Sequence, residues 1–377
     1  LDFNVPIING ELADASRIER TVPTINYLLS QSTKVIIMSH FGRPEGDFKS
    51  DLSLGKLIKF IEPIINKKLK FLPSLNIDKI KSQIEKAPFQ SIFFLENTRF
   101  LEGEEKNDIT LSKELASLGD VFCNDAFSTS HRAHASTEGI ARFLPSCAGF
   151  LIQEELQALS KALDEPQRPF VAIIGGSKIS TKLNVLKNLI QKVDFLIIGG
   201  AMANTMLLAK GTNIGASLVE TEMRDIAKDI IEEADASNCQ IILPHDLVCA
   251  EQLRENVASG TFDGNNCPEK MMILDIGAKT QRYIEQIIDE CKTLIWNGPL
   301  GAFEIKPFDR ATVGIAKHVA INTKKGKLRS VAGGGDTISA LKIASVENHL
   351  SYISTAGGAF LEWLEGKKLP GIESLKK

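Results

Sequence analysis

The chain has 377 residues, enough for two or three domains of ordinary size, and we expect two. Its 43% hydrophobic and 24% charged residues are typical of a globular protein and argue against a disordered, collagen-like or membrane-spanning chain. Because 44 basic residues face 47 acidic ones, the net charge of -3 gives no bulk attraction to nucleic acid. The six cysteines are scattered, without a CxxC pair or zinc-ligand spacing, and are predicted to be reduced thiols.

No apolar run is long enough to span a membrane, and no basic-then-apolar leader opens the sequence, so we expect a cytoplasmic protein. The start of the sequence is unusual: Asp2 resembles the polar residue that follows a strand, yet the apolar residues of such a strand would have to precede it. We therefore expect that part of the first strand is missing upstream of Leu1.

Short apolar runs alternate with amphipathic helical windows along the chain, a pattern that predicts βαβ units and parallel sheets. In the first half the predicted strands are 35–38, 92–95 and 121–123, separated by predicted helices at 54–66 and 110–118. In the second half the predicted strands are 171–174, 195–198, 240–243, 294–296, 330–332 and 352–354. A charged helical window at 152–163, followed by the proline-containing DEPQRP, predicts a connecting helix and hinge.

The predicted strands end in two kinds of polar tail, and open parallel sheets bind ligands just beyond the carboxyl ends of their strands. Tails of the first half carry Asn, His and Arg, in DFNVP, SHFGRP, ENTRF and DAFSTSHRAH. Tails of the second half carry Gly with Lys, Asn or Asp, in GGSKISTK, IIGGAM, WNGPLGAFE, AGGGDT and STAGGA. The first half is therefore predicted to bind a small anion, and the second half a nucleotide.

Basic residues of the first half form a candidate anion site. They are Arg17, His40, Arg43, Arg99, His131, Arg132 and His134. Arginine forks match carboxylate and phosphate oxygens in a bidentate manner, so the cluster indicates a substrate that carries both groups. Any one of these residues alone is typical of an ordinary surface charge, and Arg17, which lies off the strand tails, is the least supported by pattern.

GGSKISTK at 175–182 is a candidate phosphate-binding segment. Lys178 and Lys182 are four residues apart, so on a helix they would share one face, where like charges repel unless an anion lies near them. Glycines at a strand end and backbone N–H groups at a helix start would complete the site. The alternative is a solvated pair of lysines on a surface helix.

Three further turns of the second half carry candidate ligand-binding groups. In AGGGDT the glycines allow a close approach of backbone to ligand, and Asp336 is either a magnesium ligand or merely a helix N-cap. In WNGPLGAFE, Asn297 is a candidate phosphate contact and Glu304 a candidate ribose contact, although the segment alone is typical of a tight loop. STAGGA is a candidate source of further N–H groups for a transferring phosphoryl group.

Taken together, these segments resemble those of the phosphoglycerate kinases, in order and over essentially the whole chain, ending in STAGGAFLEWLEGKKLPG. The resemblance implies an α/β fold of two Rossmann-like domains, each a parallel sheet flanked by helices, that face a central cleft. It assigns 1–150 and a C-terminal tail of about 363–377 to an acid-substrate domain, 151–168 to the connecting helix and hinge, and 169–362 to a nucleotide-binding domain.

The resemblance also implies which residues bind and act. An acid set would hold 3-phosphoglycerate or 1,3-bisphosphoglycerate: Asp2, Phe3, Asn4, Arg17, His40, Phe41, Gly42, Arg43, Arg99 and Arg132. A nucleotide set would hold ADP or ATP, with Mg²⁺ on Asp336: Lys178, Lys182, Asn297, Glu304, Gly334, Gly335, Asp336 and Thr337. Catalysis would rest on Lys178 at the transferring phosphoryl group, on Arg17 as a bridge from the acid side, and on Gly357 and Gly358.

The implied reaction is the reversible phosphoryl transfer of glycolysis and gluconeogenesis between 1,3-bisphosphoglycerate and ADP. It needs no general base, because the attacking phosphate oxygen and the leaving carboxylate are already ionised. Positioning and charge neutralisation are then the main demands on the protein. We expect hinge closure that expels water, a monomer, and no nucleic-acid or membrane partner.

Four positions depart from the family pattern. Ser128 stands where glycine is usual, and Phe41 where leucine is usual. Ala356 and Phe360 replace the first glycine and the serine of STGGGAS. If position 356 requires a positive φ, Ala356 would cost stability, and the backbone around Ser128 is similarly in question.

Three other functions are alternatives to phosphoglycerate kinase activity. A dinucleotide-dependent dehydrogenase is disfavoured because no GxGxxG follows a strand, and a P-loop kinase because GxxxxGK[ST] is absent. A nucleotide-binding protein without turnover is opposed by the joint presence of Arg17, Lys178, Lys182 and Asp336. Binding of MgADP without phosphoryl transfer would favour that last alternative.

Overall fold

The computed structural model describes residues 1–376. The chain divides into two compact units. The first comprises Leu1–Leu156 and the segment from Lys368 onward, and the second comprises Gln157–Lys367. Among the described residues, no helix combines the length and apolar character needed to cross a membrane.

Short strands and helices alternate in the first unit. In chain order they are β1 (Ile7–Ile8), β2 (Glu11–Leu12), α1 (Ser16–Glu19), α2 (Val22–Ser30), β3 (Val35–Ile37), α3 (Ile58–Ile65), β4 (Lys70–Leu72), α4 (Ile77–Glu85), β5 (Ile92–Leu95), α5 (Ile109–Ala116), β6 (Phe122–Asn124) and β7 (Ser146–Ala148). One parallel sheet has the order β3-β5-β4, β6 pairs with β7 in parallel, and β1 pairs with β2 in an antiparallel hairpin.

Helix α6 (Phe150–Leu163) leads into the second unit. The elements that follow are β8 (Phe170–Gly175), α7 (Leu183–Ile190), β9 (Phe195–Gly199), α8 (Ala201–Ala209), α9 (Arg224–Ala236), β10 (Gln240–Ile242), β11 (Asp246–Ala250), β12 (Ser259–Asp263), β13 (Met272–Ile276), α10 (Ala278–Glu290), β14 (Thr293–Asn297), α11 (Arg310–Lys324), β15 (Arg329–Gly333), α12 (Gly335–Ile343), β16 (Tyr352–Ser354) and α13 (Gly358–Leu364). The last helix, α14 (Pro370–Glu373), belongs to the first unit, where the Gly371 carbonyl accepts a hydrogen bond from Asn124 at 3.2 Å.

The second unit is built on a six-stranded parallel sheet with the order β10-β9-β8-β14-β15-β16. All residues of β8 and β14 are buried, as expected for central strands covered by helices on both faces. Apolar residues of α10 and α11 pack against one face around Trp296, which is fully buried. A smaller antiparallel sheet, β12-β11-β13, completes the unit.

The predicted α/β fold with parallel sheets flanked by helices is confirmed, and every predicted strand is present within two residues of its expected bounds. The predicted helix at 54–66 begins as a 3-10 turn and continues as α3. The antiparallel sheet was not predicted: β12 (SGTFD) has one apolar residue and resembles a loop, and the apolar runs of β11 (DLVCA) and β13 (MILDI) were not identified as strands.

Candidate active site

Hydrogen bonds join the polar tails that follow β3 and β5 to each other and to Asn4 near the start of the chain. Arg99, after β5, donates from its buried guanidinium to the Gly42 carbonyl at 2.8 Å. Asn97, also after β5, donates to the Phe41 carbonyl at 2.7 Å and accepts from the Phe41 N–H at 3.2 Å. Gly42 in turn donates its N–H to the side chain of Asn4 at 3.1 Å. These contacts hold four predicted members of the acid set together.

Asp2 is buried, with 6% of its surface exposed, and both carboxylate oxygens accept hydrogen bonds. Oδ2 accepts from Arg17 at 2.8 Å and from the Ser128 hydroxyl at 2.5 Å, and Oδ1 accepts from the Asn4 N–H at 3.0 Å. Burial favours the protonated acid, but the charge of Arg17 and these hydrogen bonds outweigh it and hold the pKa of Asp2 below its usual value. Asp2 is therefore an ionised acceptor at neutral pH.

Two histidines of this region, His40 and His134, are neutral at neutral pH. Burial lowers the pKa of each to about 4, and the nearby charge of Arg99 contributes to both shifts. His40 Nδ1 lies 3.8 Å from Asp2 Oδ1, whose charge opposes the shift without cancelling it. These two histidines therefore add no positive charge to the region at neutral pH.

Arg132 lies in the loop after β6, and the buried Glu104 fixes the residues that follow it. The Glu104 carboxylate accepts from the Ser136 N–H at 3.0 Å and from the Ser136 hydroxyl at 2.5 Å. Its backbone carbonyl accepts from the Ala135 N–H at 2.9 Å. Arg132 itself is half-buried and donates from Nε to His131 at 3.2 Å. Glu104 thus anchors the loop that carries Arg132.

The remaining members of the acid set differ in exposure. Arg43 exposes its side chain, and Arg17 keeps 32% of its side chain exposed while bound to Asp2. Phe3 instead lies in the hydrophobic core, edge-on to Phe94 with ring centroids 5.9 Å apart. Only the backbone of Phe3 is therefore in a position to contribute to binding.

In the second unit, the glycine-rich tails follow strands that are all parallel, so their carboxyl ends meet at one edge of the sheet. Lys182 joins two of these tails. Its ammonium donates to the Gly175 carbonyl at 2.5 Å and to the side-chain oxygen of Asn297 at 2.6 Å. Burial lowers the pKa of Lys182 to about 8, although the charge of Asp336 opposes this shift. An anionic ligand would further favour the charged lysine.

Asn297 connects its own tail to AGGGDT. It is buried, and its side-chain nitrogen donates to the Gly333 carbonyl at 2.8 Å. Thr337 is also buried, and its hydroxyl accepts from the Gly298 N–H at 2.7 Å. Gly334 has a φ of +97°, and a Cβ there would lie 2.5 Å from the Asn297 side-chain nitrogen. Glycine at 334 therefore permits the close approach of the two tails.

Asp336 lies in the first turn of α12, with its side chain exposed. The N-cap of α12 is Gly334, so the alternative in which Asp336 is merely an N-cap is wrong. Its carboxylate oxygens suit Mg²⁺, which prefers one or two carboxylates plus phosphate oxygens. Within residues 1–376, no group of three or more His, Cys, Asp or Glu side chains is placed to hold a metal. A magnesium ion at Asp336 would thus need further ligands, such as phosphate oxygens or water.

Lys178 and Lys182 do not share one helix face, so that prediction is wrong. Lys178 lies in an irregular segment after β8, ahead of a 3-10 turn at Ser180–Lys182, and α7 begins only at Leu183. The side chain of Lys178 is exposed, whereas that of Lys182 is half-buried. The two lysines therefore differ in environment. Glu304 is also exposed.

The family departures at 356 and 360 cause no backbone strain. In the STAGGA turn the positive φ, +53°, falls on Gly357 and not on Ala356. Phe360 is fully buried and lies against Gly333, where a Cβ would be 2.6 Å from the Phe360 ring. Phe360 thus fills the space beside the AGGGDT tail.

A comparison with protein-family models decides the family. The model described as Phosphoglycerate kinase matches residues 1–367. The chain belongs to the phosphoglycerate kinase family.

Individual relatives and solved structures agree with that membership. The chain is 51% identical to the phosphoglycerate kinase of Agrobacterium fabrum over 375 residues, which cover 100% of this chain and 94% of the relative. It is 50% identical to that of Brucella abortus over 377 residues, covering 100% of this chain and 95% of the relative. The structure of phosphoglycerate kinase from Coxiella burnetii matches with a TM-score of 0.92 and 40% identity, over 99% of this chain and 94% of that one. The enzyme from Pyrococcus horikoshii matches with a TM-score of 0.81 and 27% identity, over 100% of this chain and 94% of that one.

Membership in the phosphoglycerate kinase family gives the activity. The protein is a phosphotransferase with a carboxyl group as acceptor. It transfers a phosphoryl group reversibly between 1,3-bisphosphoglycerate and ADP, giving 3-phosphoglycerate and ATP, as a step of glycolysis.

Three residues that support the candidate site of this phosphoglycerate kinase were not predicted as members. Asn97 lies within the ENTRF tail, and its position two residues before Arg99 in that tail was the available signal in the sequence. Glu104 sits in the acidic run EGEE, which resembles a solvated surface segment. Ser128 was noted only as a departure from glycine, yet its hydroxyl reaches Asp2.

Proposed function

We propose that the acid set binds the phosphoglycerate substrate on the first unit, and that the nucleotide set binds ADP or ATP on the second. The ionised Asp2 beside the guanidinium of Arg17 is the observation that carries the proposal. Phosphoglycerate offers carboxylate and phosphate oxygens for arginine donors, and a hydroxyl for a carboxylate acceptor. Arginine side chains have donors only and could not accept a hydrogen bond from that hydroxyl.

The arrangement supports transfer by charge neutralisation without a general base. His40 and His134 are neutral, so they provide hydrogen bonds and no positive charge at neutral pH. Arg17, Arg99 and Arg132 supply fixed positive charge, because guanidinium groups stay protonated throughout the physiological range. Such a site suits a reaction whose attacking and leaving oxygens are already ionised.

On the nucleotide side, we assign separate roles to the two lysines. Lys182, half-buried against Asn297, is proposed to bind the nucleotide phosphates, because their negative charge would offset the burial of its ammonium. Lys178, which is exposed, is proposed to reach the transferring phosphoryl group. Backbone N–H groups of Gly357 and Gly358 are proposed to donate to the same group.

Asp336 is the residue proposed to hold Mg²⁺, with phosphate oxygens of the nucleotide as its other ligands. The ion, when bound, neutralises negative charge on the phosphates. Glu304 is proposed to accept a hydrogen bond from a ribose hydroxyl, for which its exposed carboxylate is suited.

Direct transfer requires contact between two substrates that we place on different units. We therefore propose closure at the connecting segment 151–168, with exclusion of water from the reacting groups. Small-angle scattering should show a smaller radius of gyration with both substrates than with neither, and an unchanged radius would contradict the closure. A monomer located in the cytoplasm is proposed on the ordinary composition and net charge of -3.

The assignment of ligands to units is tested by binding of each substrate alone, measured by calorimetry. Arg132→Ala should weaken 3-phosphoglycerate binding by about tenfold or more, the value of one charge-assisted hydrogen bond, and leave MgADP affinity unchanged. Lys182→Met should weaken MgADP binding and leave 3-phosphoglycerate affinity unchanged. Arg142→Ala is the matched control, because Arg142 is exposed and pairs with Glu138 outside the acid set. A loss of MgADP affinity in Arg132→Ala with normal 3-phosphoglycerate binding would contradict the assignment.

A further inference from the structure

Ser128 lies in the short 3-10 turn Phe127–Thr129 that follows β6. Its backbone is outside the positive-φ region, so a side chain at this position causes no strain. The Ser128 hydroxyl donates to Oδ2 of Asp2 at 2.5 Å, a bond between groups 126 positions apart in the chain. The turn after β6 is therefore tied to the first residues of the chain through this hydroxyl.

Neighbouring hydroxyls in the same turn behave differently. Thr129 and Ser130 both donate to the carbonyl of Ala126, each at 3.0 Å. Those bonds stabilise the turn itself. The Ser128 hydroxyl instead bonds outside the turn, to a carboxylate of the acid set. Its contribution is thus to Asp2 and not to the local fold.

The hydrogen bonds of Asp2 show which acceptor sites of its carboxylate remain for a ligand when Ser128 is bound. Each carboxylate oxygen has two lone-pair sites. On Oδ2 both are used, by Arg17 and Ser128, whereas on Oδ1 the Asn4 N–H takes one. His40 lies 3.8 Å from Oδ1, beyond hydrogen-bond distance. One acceptor site, on Oδ1, remains for a ligand.

We propose that Ser128 is a positioning residue for the acid substrate, because it occupies Oδ2 of Asp2 and leaves Oδ1 as the acceptor for the substrate hydroxyl. This inference rests on the proposed function of Asp2 in the acid set. Without the Ser128 hydroxyl, Oδ2 keeps a single partner and its second site competes with Oδ1 for the substrate. The carboxylate is also less restrained in rotation, so the substrate is held in more than one pose.

The test compares steady-state kinetics of Ser128→Ala with those of wild type. KM for 3-phosphoglycerate should rise about tenfold, because a less restrained Asp2 weakens the hydrogen bond that it accepts from the substrate, and a hydrogen bond to a charged group is worth about that factor. KM for ATP and kcat at saturation should stay within about twofold, since the nucleotide set is untouched. Thr129→Ala, which removes the neighbouring hydroxyl, should leave KM for 3-phosphoglycerate unchanged. Ser128→Gly should reproduce Ser128→Ala and serves as the second variant if the alanine protein does not fold.

A double-mutant cycle with Asp2→Asn separates this inference from the function on which it rests. If Ser128 acts through Asp2, the double variant should bind 3-phosphoglycerate no more weakly than Asp2→Asn alone. A raised KM in Asp2→Asn with an unchanged KM in Ser128→Ala would overturn the role of Ser128 only. An unchanged KM in Asp2→Asn would overturn the placement of Asp2 in the acid set, and with it the inference. Fully additive losses in the double variant would also overturn it.

Discussion

Replacing Gly334 with alanine should disrupt the contact between the AGGGDT and WNGPLGAFE tails. The new Cβ would lie 2.5 Å from the Asn297 side-chain nitrogen, and the backbone at 334 has a φ of +97°. A residue with a side chain in such a backbone conformation costs about 1–3 kcal/mol. Displacement of Asn297 would also break its hydrogen bond to the Gly333 carbonyl and remove the side-chain partner of Lys182.

The backbone strain and the lost hydrogen bonds together set the expected change in the free energy of unfolding of Gly334→Ala. A neutral hydrogen bond contributes about 0.5–1.5 kcal/mol, and one to a charged group about 1.5–3 kcal/mol. With the backbone term, the Gly334→Ala variant should lose at least about 3 kcal/mol of the free energy of unfolding. Affinity for MgADP should fall as well, because Lys182 and Asn297 both belong to the nucleotide set.

Urea titration followed by tryptophan fluorescence measures this loss. Both tryptophans, Trp296 and Trp363, lie in the second unit, so the signal reports the unit that contains the substitution. Gly335→Ala is the matched control, because its Cβ would meet no atom within 4 Å and its φ is not positive. The control should change the free energy of unfolding by less than about 0.5 kcal/mol. A Gly334→Ala protein within about 1 kcal/mol of wild type would refute the reasoning.

Two further predictions concern a buried histidine and a buried phenylalanine. The pKa of His40 is about 4 in the folded protein, whereas its ordinary value is 6.5. Between these pH values the unfolded chain therefore binds more protons than the folded protein. The free energy of unfolding should fall as the pH drops from 6.5 to 4. His40→Gln should remove a part of this loss on the order of 3 kcal/mol in urea titrations, and a dependence of stability on pH identical to that of the wild type would contradict it. Phe360→Ala should lower the free energy of unfolding by about 3–5 kcal/mol, because it leaves a cavity beside Gly333. Phe89→Ala, at a side chain that is 71% exposed, should lower it by under about 1 kcal/mol. A loss under about 1 kcal/mol in Phe360→Ala would show that Phe360 does not support the tail.

Much of the fold could be predicted from sequence, because parallel strands buried on both faces form short continuous apolar runs. β8 and β14 are such strands, and the sequence of their glycine-rich tails indicates one edge of the sheet. Of the antiparallel strands, β12 has few apolar side chains and alternates exposed and half-buried residues, so it resembles a loop, whereas β11 and β13 are apolar runs whose pairing depends on contacts between residues distant in sequence. Strand tails thus carried more information about the site than the strands themselves.

Details of the site depended on contacts between residues distant in sequence. The expectation that Lys178 and Lys182 share a helix face failed because the segment folds as a loop and a 3-10 turn before α7 begins. The hydroxyl of Ser128 finds its acceptor 126 positions away, so no local pattern could predict that bond. The doubt about Ala356 likewise depended on backbone geometry, and the positive φ falls on Gly357.

The central claim is that the ammonium group of Lys178 stabilises the transferring phosphoryl group. A coupled assay with 3-phosphoglycerate, ATP and Mg²⁺ tests it most directly, through the turnover of Lys178→Ala. Lys187→Ala is the matched control, because Lys187 is an exposed lysine of the neighbouring helix α7 outside the nucleotide set. The account predicts a kcat lowered by about 10²–10³ in Lys178→Ala, as for loss of one preorganised electrostatic contact, and a normal kcat in the control. A Lys178→Ala enzyme that turns over at the wild-type rate would contradict the account.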